Sequence, residues 1–165
     1  DTGCFSYSNT TANTHRVAAA LMDTGIDYRS LNQTFFRTKS RKRMQLEGSM
    51  LHTMELYDQD RVAVLSVPIA LMEQLHAGES DAEELSSLGA QIEGVDCAIT
   101  MRELQPDVWK FSLRTGSRVN ATRVCQLLGG GGHAAAAGAT VHAPWADAKR
   151  QMLDAVAKIA GDFPH

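Results

Sequence analysis

The run Gly129-Gly130-Gly131-Gly132-His133-Ala134-Ala135-Ala136-Ala137-Gly138 is unlike any other part of this chain, and the fold is read outward from it. Four consecutive glycines give a backbone that reaches positive φ and brings bare amide N–H groups close to a ligand. Successive N–H groups in such a turn can converge on an anion, with His133 at the exit as a directed donor. The alanines that follow allow another element to pack very closely. The plainer reading is a helix C-cap and a flexible turn, for which one glycine is enough. A phosphate or substrate loop is the functional reading of the same residues.

On the upstream side, Val124, Leu127 and Leu128 predict a helix that stops at the first glycine, with Asn120 as its N-cap. Before it, Trp109, Phe111 and Leu113 alternate with Lys110, Ser112 and Arg114, the period of a strand with one buried and one polar face. Arg114 closes that strand and leads through Thr115-Gly116-Ser117 to Arg118. The two arginines and His133 are therefore candidates to meet around one set of backbone amides. A guanidinium fork matches phosphate geometry and also stacks on a base. The alternative is a pair of solvated loop arginines. Downstream, Ala139 to His142 reads as a strand and Trp145 to Ala160 as a final amphipathic helix.

Farther out the pattern repeats both element types. Thr11 and its polar neighbours cap an expected helix over 12–24, and a second covers 27–36 with Tyr28, Leu31 and Phe35 on its buried side. Five of the seven residues 37–43 are basic, opening a helical pattern that runs to Met54. That stretch is read as a connecting helix with a solvated face, or as cations lining a cleft. Strands are expected over 54–57 and 61–67, joined by the Asp58-Gln59-Asp60 turn. Pro68 begins a helix, and a further helix is expected over 81–92, its early carboxylates Glu79, Asp81, Glu83 and Glu84 favoured by the helix dipole. Strands over 95–102 and 108–114 follow. The order predicts an α/β fold, a mixed sheet flanked by helices.

Composition bounds the function. The chain has 165 residues, 44% of them hydrophobic and 21% charged, enough for a globular core. Its formal net charge of −3 argues against gripping long nucleic acid, while a short anion in a local pocket remains compatible. Cys4, Cys97 and Cys125 are odd in number and widely spaced, which fits a reducing cytosol better than a disulfide framework. No run of apolar residues is long enough for a membrane span, so a cytoplasmic protein without a membrane partner is expected. The chain opens on Asp1 rather than Met, and is read as a piece of a longer protein.

Asp1-Thr2-Gly3 with Phe5 and Ser8-Asn9-Thr10-Thr11, then Ile92-Glu93-Gly94-Val95, Ser112-Leu113-Arg114, Val119-Asn120, and Gly129 to His133 followed by Ala136-Ala137-Gly138 occur in that order. Together they resemble the C-terminal half of the DHH phosphoesterases, in the branch of nanoRNases and 3′,5′-bisphosphate nucleotide (pAp) phosphatases. The resemblance implies residues 1–36 as the end of a catalytic domain, 37–53 as a linker helix and 54–165 as a DHH-associated substrate-binding domain. It implies a two-metal Mn²⁺ site, with Asp1 as the one ligand present here. Arg114, Arg118, Gly130, Gly131, Gly132 and His133 would hold the substrate phosphate or nucleotide.

The sequence contains no Asp-His-His, and a two-metal hydrolysis needs several carboxylates and imidazoles. The expectation is a Mn²⁺-dependent hydrolase of short RNA or pAp in the intact parent, and an inactive 165-residue chain that relies on an absent catalytic lobe. Alternatives within the family are cyclic dinucleotides or single-stranded DNA as substrate. Outside it stands a nucleotide-binding module without chemistry. A homodimer is compatible with all of these.

Overall fold

The computed structural model describes residues 2–160 except Ser8 and Glu84. The chain falls into two compact units, residues 1–40 and 41–165.

The first unit holds α1 (Ala12–Asp23) and α2 (Tyr28–Asn32), followed by a π-helical turn over Gln33–Arg37. Thr11 and Thr14 form a reciprocal capping pair at the start of α1: Thr14 N–H donates to Thr11 Oγ1 (3.2 Å), and Thr11 N–H donates to Thr14 Oγ1 (3.1 Å). Asp27 caps α2 by accepting from the Ser30 N–H at 3.0 Å. None of these three segments contains a buried residue. Tyr28, Leu31 and Phe35, expected on a buried side, are exposed. None of the described residues of this unit buries these three side chains.

The second unit begins with α3 (Arg41–His52), β1 (Glu55–Tyr57), β2 (Val62–Val67) and α4 (Ile69–Gln74). It continues with β3 (Cys97–Gln105), β4 (Val108–Thr115), α5 (Ala121–Gln126), β5 (Gly131–His133), β6 (Ala136–His142) and α6 (Trp145–Ala160). The six strands form one sheet in the order β1-β2-β3-β4-β6-β5. β2 and β3 run parallel and every other neighbouring pair antiparallel, the mixed sheet expected from the element order.

One face of the sheet is covered along most of its width. Val64, Ile99, Met101, Phe111, Leu113 and Val141 pack there against α5 and α6. Helix α6 presents Ala148, Met152, Ala155 and Val156, the spacing of a single helical stripe. The other face is covered only at the β2 side, where Leu46 and Met50 of α3 meet Ala63, Leu65, Val67 and Leu85. The helix read as a connector is thus packed into the second unit through its own apolar positions.

Two expected elements differ. Residues 81–92 form no continuous helix; short 3₁₀ turns occupy Glu79–Asp81, Leu85–Ser87 and Gly89–Gln91. Gly89 lies flat on the sheet, where a Cβ would come within 2.6 Å of Leu65 and 2.9 Å of Ala98. Ser86, Ser87 and Gly89 also contribute little helix propensity, so packing decides the path. The second difference is the glycine run, which the structure builds partly as a strand.

Candidate functional site

The four glycines do three different things. Gly129, at φ +74°, ends α5: the Gly130 N–H donates to the Cys125 carbonyl (2.8 Å) and the Gly129 N–H to that of Gln126 (3.2 Å), a Schellman ending. Those two amides are therefore used by the helix, and the expected cradle of free N–H groups does not include them. Gly130 passes so near β6 that a Cβ would lie 2.2 Å from the Gly138 carbonyl oxygen. Gly132, at φ +147°, has the same constraint, with Ala136 O and Ala137 Cα both at 2.6 Å. Gly131 has neither constraint: a Cβ there would meet nothing within 4 Å.

Past Gly130 the chain becomes strand β5 and turns back through Ala134-Ala135 into β6. The turn is tied to its surroundings through backbone carbonyls. Ala134 O accepts from the Ala121 N–H (2.8 Å) and from Thr115 Oγ1 (3.1 Å), and Ala135 O accepts from the Thr115 N–H (3.0 Å). The end of β4, the start of α5 and the glycine hairpin are locked together by these bonds.

The register places the candidate side chains. Arg114 is paired with Ala136, and Ala136 with His133, so the three form one cross-strand row. Directly opposed residues share a face, which puts Arg114 and His133 on the same side of the sheet, two strand spacings or about 10 Å apart. The next row on that face is Thr100, Ser112, Gly138 and Gly131, and the one after it Arg102, Lys110 and Thr140. Between these side chains lie Ala136, Gly138 and Gly131, which carry a methyl group or nothing. This part of the sheet is a flat shelf of small residues bordered by Arg114, Lys110 and His133.

Beside the shelf lies a cavity of about 310 Å³ whose walls include Thr100, Arg102, Lys110, Ser112 and Arg114, with Glu79 and Glu83 across from them. Arg102 pairs with Glu79, whose side chain is 82% exposed. Arg114 donates from Nη1 to the Leu113 carbonyl at 3.0 Å, a neutral partner. Thr100 Oγ1 and Arg102 Nε are buried and have no hydrogen-bond partner among the described residues.

Arg118 is placed elsewhere. It stands in the loop after β4, with its side chain 60% exposed, and its Nη1 donates to Asp96 Oδ2 at 3.2 Å. The structure brings Arg114 and His133 onto one row but engages Arg118 with a carboxylate. Asp1, the expected metal ligand, lies outside the described residues. Among the described residues no three His, Cys, Asp or Glu side chains come together as a metal site.

Thr100 and Arg102 were not singled out from sequence. They sit in the largely apolar strand run Cys97 to Met101 and its end, which reads as buried throughout. The signal that finds them is the pairing register: each stands opposite Ser112 or Lys110, on the polar side of β4.

Fold and site define an α/β domain whose mixed sheet is helix-covered on one face and keeps a cationic, glycine-edged shelf on the other. The chain belongs to the DHHA1 domain family, whose pattern matches residues 60–162. It is 34% identical over 158 residues to the bifunctional oligoribonuclease and PAP phosphatase NrnA of Thermus thermophilus, covering 94% of this chain and 46% of that protein. The chain thus spans about half the length of the curated relative it matches. An exopolyphosphatase-related protein from Bacteroides fragilis shares the fold with a TM-score of 0.88 at 24% identity, over 97% of this chain and 47% of that one. A pGpG-specific phosphodiesterase, PggH from Vibrio cholerae, aligns with a TM-score of 0.56 at 18% identity, over 98% and 55%. Among the described residues no helix is long and apolar enough to cross a membrane.

Proposed function

We propose that this chain is the substrate-holding part of a phosphoesterase that hydrolyses short oligoribonucleotides or nucleoside 3′,5′-bisphosphates such as pAp. The observation that carries the reading is the row Arg114–Ala136–His133 on the uncovered face of the sheet. The printed activities of the Thermus thermophilus relative support it. On this reading the Arg114 fork binds a phosphate through parallel N–H bonds, and His133 donates to the same group from the strand edge. Ala136, Gly138 and Gly131 leave room for a sugar or base to lie against the backbone. Both donors would also stabilise charge that builds on phosphorus oxygens during hydrolysis. Arg118 is a weaker member of the set, since a ligand must compete with Asp96 for it.

The hydrolytic step on this reading uses two Mn²⁺ ions. The described residues do not fit such a centre, and the 165-residue chain is expected to bind without turning over. The free cysteines Cys4, Cys97 and Cys125 support a cytoplasmic setting. Equilibrium binding of pAp and of a diribonucleotide to the chain tests the proposal. Arg114→Ala and His133→Ala should each weaken binding by about tenfold or more, the cost of one charge-assisted contact. Undiminished binding in both variants sinks it, and Mn²⁺-dependent cleavage by this chain alone sinks the claim of inactivity.

A further inference from the structure

We propose that the groove between α3 and α4 is a binding site for a neutral nucleobase, whose donor–acceptor edge pairs with the backbone of Ser66. The site is independent of the phosphate-binding reading above, since none of its residues belongs to the shelf or to the cavity lined by Arg114.

Two helix faces and a strand end build the groove. Gln45, Gly48, Ser49 and His52 recur at the spacing of one face of α3, while Leu46 and Met50 turn toward the sheet. Leu71, Gln74 and Leu75 recur in the same way on α4. Ser66 of β2 and Pro68, which precedes α4, complete the lining of a space of about 600 Å³, the size of a small-molecule pocket. No Asp, Glu, Lys or Arg lines it, so a charged ligand would find no counter-ion there.

The strand end has an unmet hydrogen-bonding demand. β1 pairs with β2 only as far as Glu55 opposite Val64. The Cys97 N–H donates to the Arg61 carbonyl (3.1 Å), so in this parallel pair the backbone of residues 61, 63, 65 and 67 faces β3. The backbone of Ser66 faces the other way, where no strand stands. No hydrogen bond engages its N–H or C=O among the described residues. A free N–H and C=O on one extended residue call for an acceptor and a donor side by side. The Watson–Crick edge of a base presents that pair, and its flat ring suits walls made of Leu71, Leu75 and Pro68. An added peptide strand needs a longer ladder than this one, because Val67 faces β3 and Pro68 has no N–H.

Binding of adenosine, which carries no phosphate, to the whole chain tests the site. The expected Kd is below about 1 mM, with slowed hydrogen exchange at the Ser66 amide in the complex. Gly48→Leu should abolish binding: a Cβ at Gly48 meets nothing within 4 Å, so the side chain fills the groove. Tm should be unchanged or raised, because leucine is the better helix former. N⁶,N⁶-dimethyladenosine, which lacks the donor, should bind about tenfold more weakly. His133→Ala should leave adenosine affinity unchanged, which separates failure of the groove from failure of the phosphate-binding reading. Adenosine binding that survives Gly48→Leu, or that His133→Ala abolishes, overturns the proposal. So does a wild type that does not bind adenosine, leaves Ser66 unprotected, or binds the dimethylated nucleoside equally well. Protection of Ser66 by the neutral peptide acetyl-Ala-Leu-Ala-amide, with none by adenosine, overturns the base in favour of a peptide strand.

Discussion

A methyl group is a fine enough probe to separate structural from functional glycines in this chain. Gly130→Ala drives a Cβ into the Gly138 carbonyl, and the expected cost is about 2–3 kcal/mol, read as a lowered Tm. Gly131→Ala meets open space, so stability should stay within about 0.5 kcal/mol of wild type while binding of pAp weakens. If Gly131→Ala binds normally, the shelf is not where the ligand lies. The cysteines allow a parallel test. Burial, reinforced by Cys125 and Asp96, pushes the Cys97 thiol up to about 12, and burial pushes Cys125 up to about 11. At pH 8 a thiol reagent should modify exposed Cys4 alone, and the other two only on unfolding. At this scale the sequence was readable where a residue's chemistry is unusual, as for His133 after four glycines. It was unreadable where position makes the chemistry: Thr100 is ordinary until the register sets it opposite Ser112.

Among the elements, α5 and β5 show how far local signals reach. Asn120 accepts from the Arg123 N–H at 3.1 Å, the cap expected from its place before the helix. Asn120→Ala should cost about 1 kcal/mol, measured by denaturant titration, because one N-terminal amide of α5 loses its acceptor. The helix ending was legible too, since Gly129 takes the left-handed conformation that a C-cap demands. Strand β5 was not. Glycine has low strand preference, and Gly131–His133 extends only because β6 lies alongside to pair with it. The broken 81–92 segment has the same origin, with carboxylate placement suggesting a helix and the closeness of Gly89 to the sheet preventing one. In both cases a neighbour distant in sequence decided the conformation. The helices α1 and α6, with strong caps or strong periodicity, needed no such neighbour to be recognised.

For the molecule as a whole, one electrostatic latch joins the beginning and end of the second unit. Lys149 of α6 donates to both carboxylate oxygens of Glu55 on β1 at 2.8 Å, and Tyr57 OH donates to the same carboxylate at 2.5 Å. The hydrogen bond from Lys149, then that from Tyr57, holds the Glu55 pKa below its ordinary value against the opposing effect of burial. A lowered carboxylate pKa contributes stability that is present above the unfolded value and is lost as pH falls through the folded one. Glu55→Gln should therefore destabilise the protein at pH 7 by less than about 1 kcal/mol, since the carboxylate is partly solvated. The difference should vanish at acidic pH, which a series of melts across pH 3–7 would reveal. The two units should also differ in resistance to protease. The helices of residues 1–40 bury nothing, whereas residues 41–160 hold both apolar clusters, so limited proteolysis should remove the first segment well before cutting the second.

The two margins of the sheet carry a further consequence. β1 and β5, the outermost strands, are each three residues long, and β5 contains a glycine at φ +147°. An unpaired strand edge is a template on which another chain can add, and templating needs a straight run of free amides and carbonyls. The outermost strands offer only three residues each, although β6 beyond Gly138 and β2 beyond Val64 have no strand beside them on that side. Outer strands this short limit how far another strand can add directly to β1 or β5, so edge pairing through either of them is confined to those three residues.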